Sequence, residues 1–212
     1  MNQFELIVIG GGLTSARAIK AYREAGGDGR IALVSADSTI PYHRPPLSKR
    51  YLRGEAARED TLVEAQPFYD DNDVELLLST AVVGVEPRER AVATADDRRL
   101  RYRKLLIASG VQAQHLQVPG ADLEGIFTLR SLDDATAIRD AAGAARDAVV
   151  VGGGFIGIEA AASLTELDAW AGSDLASGRL GAARLLAFER GLRLLLPAHL
   201  PFQPLLGRTT IR

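Results

Sequence analysis

The pattern that most constrains this chain is a short apolar strand that enters a glycine turn and then a helix, and it occurs twice. Phe4-Glu5-Leu6-Ile7-Val8-Ile9 is a β-branched, apolar run suited to a buried strand. Gly10-Gly11-Gly12 follows, then a stretch from Leu13 to Ala25 with Leu13, Ala16, Ala18 and Ile19 apolar and Arg17, Lys20, Arg23 and Glu24 polar, which predicts an amphipathic helix. Gly26-Gly27-Asp28-Gly29 ends it, since glycine accepts the left-handed backbone of a C-terminal cap. Ile31-Ala32-Leu33-Val34 is a second strand. Such a β-α-β unit implies a parallel sheet with a right-handed crossover. The opening returns at Ala148-Val149-Val150-Val151, Gly152-Gly153-Gly154 and a helix from Phe155 to Leu167, an internal duplication rather than a short-period repeat.

The glycines carry chemistry. In Gly10-x-Gly12-x-x-Ser15 the first glycine allows the tight turn, and the second lets the backbone approach a pyrophosphate. The third position must be small for helix–strand packing, and here it is Ser15. The helix N-terminus then offers free N–H groups and the positive end of its dipole to phosphates. Gly152-x-Gly154-x-x-Gly157 has all three glycines. A lone match of this kind is also an ordinary glycine turn; the strand before and the helix after are what point to a dinucleotide. The ribose acid belongs at the end of the second strand, and Asp37, 25 positions after Gly12, is the candidate, its other reading being a solvated loop acid. The same offset from Gly154 lands on Arg179, which could meet a 2′-phosphate. Glu189, after Leu185-Leu186-Ala187-Phe188, looks more like a strand-end acid but comes ten residues later, and the two stay unresolved. Two fingerprints imply two dinucleotides, hence an oxidoreductase with FAD in one site and a nicotinamide nucleotide in the other.

Between the fingerprints lies a proline-rich loop, Pro41-Tyr42-His43-Arg44-Pro45-Pro46, leading into Leu47-Ser48-Lys49. Short strands are expected at 74–78, 81–85 and 91–94, with a hairpin turn at Asp96-Asp97. A further buried strand, Leu105-Leu106-Ile107-Ala108, ends at Ser109-Gly110. Turn chemistry surrounds Pro119-Gly120, and a helix from Ser131 to Ala142 opens with Asp133 and Asp134 in its first turn. Beyond about Glu166 the pattern degrades.

Composition narrows the chemistry. There is no cysteine, so the 212 residues hold no disulfide, thiol nucleophile, Cys-ligated metal cluster or dithiol redox pair. His43, His115 and His199 lack metal-ligand spacing, and no metal is expected. With 25 basic against 27 acidic residues, the net charge of -2 argues against sequence-independent nucleic-acid binding. No run of about 18 apolar residues predicts a membrane span. The N-terminus lacks the basic stretch of a signal peptide, so a cytoplasmic location is expected.

Several segments resemble one family, the FAD-dependent NAD(P)H reductases that feed ferredoxins and rubredoxins, including putidaredoxin reductases and the related apoptosis-inducing factor. They are VIGGGLTSARA near the start, PYHRPPLSK at 41–49, LLIASG at 105–110, LRSLDDATAIR at 129–139 and VVVGGGFIGIEAAASL at 149–164. PPLSK with GGGFIGIEAA is far more specific than either glycine pattern alone. The resemblance implies an α/β, Rossmann-like FAD/NAD(P)-binding fold with two tandem dinucleotide-binding units, the second incomplete. It implies that Gly10, Gly11, Gly12, Leu13, Thr14 and Ser15 hold the FAD pyrophosphate and Asp37 its ribose. Arg44 and Lys49 would lie close to the flavin, Val82 would meet the adenine end through its backbone, and Arg130 would contact FAD. Ala108, Ser109 and Gly110 match a turn of the FAD site. Gly152, Gly154, Ile156 and Gly157 would bind NAD(P)H, with Phe155 at the nicotinamide entrance. Glu159 matches the acid that pairs with Lys49 beside the isoalloxazine.

Lys49 is one of only three lysines. A compact ammonium near flavin N5 or O4 would stabilise negative charge that develops on reduction, and a carboxylate partner would offset its desolvation. Its other reading is a surface lysine after a proline turn, and that of Glu159 a polar position on a solvated helix face. With no cysteine pair, electrons must leave to an external acceptor, for which the resemblance implies a small iron–sulfur protein.

The resemblance covers residues 1 to about 165. The expected organisation is the N-terminal part of an FAD domain over 1–112, the start of an NAD(P) domain over 113–167 and an anomalous tail over 168–212. The family's chains are about twice as long, so the sequence reads as a truncated or frame-disrupted reductase. A catalytically silent nucleotide-binding fragment is the competing expectation, and a flavin monooxygenase with the same first fingerprint a third.

Overall fold

The computed structural model describes residues 3–115, 117–145, 147–171 and 182–186, the last segment and 168–171 by backbone alone. The chain divides into two compact units, Met1–Ile138 and Arg139–Arg212.

In the first unit β1 (Gln3–Ile9) leads to α1 (Leu13–Glu24) and β2 (Ile31–Val34). A long loop and α2 (Gln66–Asp71) precede β3 (Val74–Leu77), β4 (Val82–Glu86), β5 (Ala91–Thr94) and β6 (Arg99–Ile107), and α3 (Leu132–Ala142) begins in this unit and runs past its end at Ile138. One sheet of six strands forms, in the order β3-β2-β1-β6-β5-β4. The first four are mutually parallel, while β5 and β4 add on antiparallel. The β1-α1-β2 unit is the one the sequence predicts. All four residues of β2 are buried, as a strand covered on both faces requires.

Two cores follow from the alternation of side chains. On one face Leu6, Val8, Ile31, Leu33 and Val74 pack with Ile19 of α1 and Tyr69 of α2. On the other, Phe4, Ile7, Ile9, Ala32, Val34 and Leu77 pack with Val92, Leu100 and Tyr102. That cluster runs from Leu77 of β3 through β2, β1 and β6 to Val92 of β5. Each large side chain so buried contributes about 1.5–3 kcal/mol. A third cluster, Tyr42, Leu47, Tyr51, Leu132 and Ala135, pins the proline-rich loop to α3. Within that loop Pro45–Ser48 forms a 3-10 turn. These contacts hold Leu129, Leu132 and Ala135 against the loop.

Two elements differ from the sequence reading. β6 begins at Arg99, six residues before the expected Leu105, because Arg99, Arg101 and Arg103 are solvated while Leu100 and Tyr102 between them are buried. The short helix α2 was not anticipated at all. The turn between β5 and β6 does fall at Asp96-Asp97, with Asp97 at φ +60.

The second unit holds β7 (Asp147–Val151), α4 (Phe155–Ala171) and β8 (Ala182–Leu186), with β8 parallel to β7. It too is a β-α-β unit, where the sequence suggested only a β-α step. The remainder of the expected tail at 168–212 lies outside the described residues.

Candidate functional site

The first fingerprint lies where β1, β2 and β6 end. Gly10 has φ +118, a region that side chains rarely enter, and its N–H donates to the Val34 carbonyl. A β-carbon on Gly10 would collide with the Ala108 carbonyl and lie 3.1 Å from the Ser109 Cα. One on Gly11 would collide with the Ser35 hydroxyl and lie 3.6 Å from the Asp37 Cβ. At Gly12 the same test meets nothing within 4 Å. Gly12 is the N-cap of α1, and no side chain caps that end. The result is a cradle with glycine-only walls, an open middle and the positive end of a helix dipole facing it. The Ser15 hydroxyl, fully buried in the first turn of α1, has no partner among the described residues. Leu13 and Thr14, at the head of the helix, are exposed. A diphosphate fits such a cradle: it needs close backbone approach, N–H donors and no side chain in the way.

Asp37 stands three residues beyond Val34, the last residue of β2. Its N–H donates to Ser35 Oγ at 3.0 Å. Its carboxylate accepts two hydrogen bonds, Oδ1 from the Thr39 N–H at 3.1 Å and Oδ2 from the Tyr42 hydroxyl at 2.7 Å. Burial, and then this bond to Asp37, push the Tyr42 phenol far above the ordinary tyrosine range. Segment 79–80 flanks the acid, with Ser79 N–H donating to the Asp37 carbonyl and Thr80 N–H to the Ser35 carbonyl. Val82, two residues on, is half-buried against the core beneath the sheet.

A second group of expected residues meets at the head of α3. Arg44 Nη1 donates to the Arg130 carbonyl at 2.9 Å, and Arg130 Nε donates to the Val111 carbonyl at 3.2 Å. Val111 directly follows Gly110, so the Ala108-Ser109-Gly110 turn joins the cradle to this arginine pair. The helix is fixed by a reciprocal cap: Ser131 Oγ accepts from the Asp134 N–H, and Asp134 Oδ2 accepts from the N–H groups of Ser131 and Arg130. Lys49 is exposed at the end of the 3-10 turn, between buried Ser48 and Tyr51, so packing fixes its backbone.

In the second unit Gly152 has φ +128, and Gly154 faces open space. A β-carbon on Gly157 would collide with the Gly152 carbonyl, which is why only glycine serves there. Phe155 (87% exposed) and Ile156 stand out at the head of α4, and Glu159 lies one turn further on, half-buried. Lys49 thus belongs to the first unit and Glu159 to the second. Ser35 and Tyr42 are the site residues the sequence did not announce. Among the described residues no cluster of His, Asp or Glu could hold a metal, and no helix is long and apolar enough to cross a membrane.

The profile of a known family, described as pyridine nucleotide-disulphide oxidoreductase, matches residues 4–190. The ferredoxin reductase subunit of 5,5′-dehydrodivanillate O-demethylase from Sphingobium sp. is 37% identical over 167 residues, which are 79% of this chain and 40% of that protein. A rubredoxin-NAD(+) reductase of Pseudomonas putida is 35% identical, over 74% of this chain and 41% of its own. Among solved structures, the covalent putidaredoxin reductase–putidaredoxin complex superposes with a TM-score of 0.72 at 33% identity, covering 78% of this chain and 40% of that one. The NADH:rubredoxin oxidoreductase of Clostridium acetobutylicum gives 0.74 at 26% identity, over 87% and 44%. The chain therefore spans about two fifths of the length of the relatives it matches.

Proposed function

The chain belongs to the pyridine nucleotide-disulphide oxidoreductase family, and on that premise we propose that it carries the coenzyme-binding part of an FAD-dependent reductase that moves electrons from NAD(P)H to a small iron–sulfur protein. The observation that carries this reading is the cradle at Gly10, where the backbone of Ala108 leaves no room for a side chain while Gly12 faces open space. The residues fit a dinucleotide. Gly10 to Ser15 hold its diphosphate on the head of α1, and Asp37 accepts from the hydroxyls of its ribose. Arg44, Arg130 and the Ala108–Gly110 turn line the flavin half. When bound, FAD supplies a ring that accepts a hydride and releases electrons singly.

The protein's own part is binding, orientation and charge. Lys49 presents an ammonium where negative charge would accumulate on the reduced ring. The second cradle, Gly152, Gly154 and Gly157, receives the nicotinamide nucleotide, with Phe155 and Ile156 at its mouth. With no cysteine in the chain, an internal dithiol cannot take the electrons, so the acceptor is external. Relatives named as reductases of ferredoxins and rubredoxins support an iron–sulfur acceptor.

The test is the purified 212-residue chain incubated with FAD and freed of excess. Yellow protein that bleaches on anaerobic addition of NADH or NADPH is the expected result. Protein that keeps the flavin but does not bleach leaves a nucleotide-binding fragment without turnover. Colourless protein overturns the reading.

A further inference from the structure

We propose that Tyr42 is a positioning residue for the adenosine end of the flavin coenzyme, its hydroxyl turning the Asp37 carboxylate toward the ribose diol. This rests on the functional reading above and adds to it a residue and a division of labour. Tyr42 is 2% exposed and lies in the cluster with Leu47, Tyr51, Leu132 and Ala135. Its hydroxyl makes two hydrogen bonds of opposite sense. The Leu132 N–H donates to it at 3.1 Å, and it reaches Asp37 Oδ2 at 2.7 Å. An amide can only donate, so the phenol oxygen accepts there and its own proton is directed at the carboxylate. Leu132 is the first residue of α3, whose head is held by the Ser131–Asp134 cap. The bond to Asp37 is therefore anchored to a fixed helix, not to a mobile side chain.

The other carboxylate oxygen is held as firmly, by the Thr39 N–H. Each oxygen has two acceptor sites and each has one filled, so one site on each oxygen remains. Two such sites on a fixed carboxylate match the two neighbouring hydroxyls of a ribose. An aspartate is short, stands in a loop beyond β2, and would otherwise sample several rotamers. Holding it beforehand reduces the entropy lost when the sugar binds. Neither packing nor the glycine cradle requires a hydroxyl on this ring: phenylalanine would fill the same cluster.

The test titrates the full chain by loss of flavin fluorescence with two probes, FAD and an FAD analogue whose adenosine ribose lacks both hydroxyls. Tyr42→Phe is expected to weaken FAD binding roughly tenfold, the worth of one hydrogen bond to a charged group, and to leave the analogue's affinity unchanged. Asp37→Ala should show the same selectivity, and the double variant should bind FAD no more weakly than Asp37→Ala alone. Equal losses for both probes would assign Tyr42 a structural role only, and tighter FAD binding by Tyr42→Phe would mean the phenol competes with the sugar. Either overturns the proposal, as does unchanged FAD affinity. Should Tyr42→Phe fail to fold, Asp37→Ala decides: full FAD affinity there removes the group through which Tyr42 acts. Wild-type protein that takes up no FAD sinks the functional reading and this inference together, whereas wild-type uptake with an indifferent Tyr42→Phe sinks this inference alone.

Discussion

Gly10 faces the carbonyl group of Ala108 so closely that no β-carbon fits between them, and its φ of +118 excludes one on conformational grounds as well. Gly12, two residues on, has extended backbone and open space around it. The two glycines are therefore separable. Gly10→Ala should cost at least about 1–3 kcal/mol and lower the melting temperature. Gly12→Val loses only an N-cap preference, so it should cost no more than about 1 kcal/mol, yet abolish retention of FAD on gel filtration. Full retention by Gly12→Val would show that no diphosphate approaches that backbone.

Lys49→Met keeps most of the length of the side chain and removes its charge. Flavin should still bind, and its reduction by NADH in a stopped-flow experiment should slow by at least about tenfold, the equivalent of 1.4 kcal/mol in the barrier. Unchanged kinetics would take Lys49 out of the catalytic set.

Asp134 accepts from two backbone N–H groups, at 2.8 and 2.9 Å, at the head of α3. Asp134→Ala should cost about 1–2 kcal/mol, read from the urea midpoint at unchanged slope. The Arg44–Arg130 contact depends on the same turn, so flavin affinity should fall with it.

Tyr69 is fully buried, and its hydroxyl has no partner among the described residues. Burial, and secondarily Glu64, push that phenol well above its ordinary range. Tyr69→Phe removes a desolvated polar atom without changing shape. It should be neutral or stabilise by up to about 1 kcal/mol, checked by thermal denaturation.

Acid should weaken the β5–β6 turn. A hydrogen bond from Arg98, then one from the Thr94 hydroxyl, hold the Asp96 carboxyl down at about 2, against an ordinary 3.8. A depressed carboxyl stabilises the fold above its ordinary value, and that contribution is lost as the pH falls through the depressed one. The stability difference between wild type and Asp96→Asn should therefore be constant near neutrality and shrink between 3.8 and about 2. A difference that does not shrink there would show that Asp96 is unpaired in solution.

The strand–glycine–helix units were legible because every signal in them is local: apolar runs, a positive-φ glycine, an amphipathic repeat. The first half of β6 was hidden because its solvated face is three arginines, which spoil the apolar run though not the alternation. Tyr42 was hidden for another reason. Asp37 is only five residues before it, but Leu132 is brought to it by the packing of α3, ninety positions away in the chain, and no local pattern records that. At the second acid, counting residues and looking for a strand end point to different positions, Arg179 and Glu189. Ile9 pairs with Val34, three residues before Asp37, and Val151 pairs with Leu186. α4 has 17 residues against 12 in α1, and more chain intervenes before β8, so the two units are spaced differently. Both Arg179 and Glu189 lie outside the described residues.

The wall of the first cradle comes from far along the chain. β1 pairs with β6 from Gln3↔Arg101 to Ile9↔Ile107, and Ala108 follows that pairing directly. A growing polypeptide on the ribosome thus makes its glycine turn early but cannot close it until the sixth strand has emerged and slotted in beside the first. Under the proposed function, a coenzyme would have to wait for that late, long-range closure, and a defect that slows the sixth strand would delay its uptake.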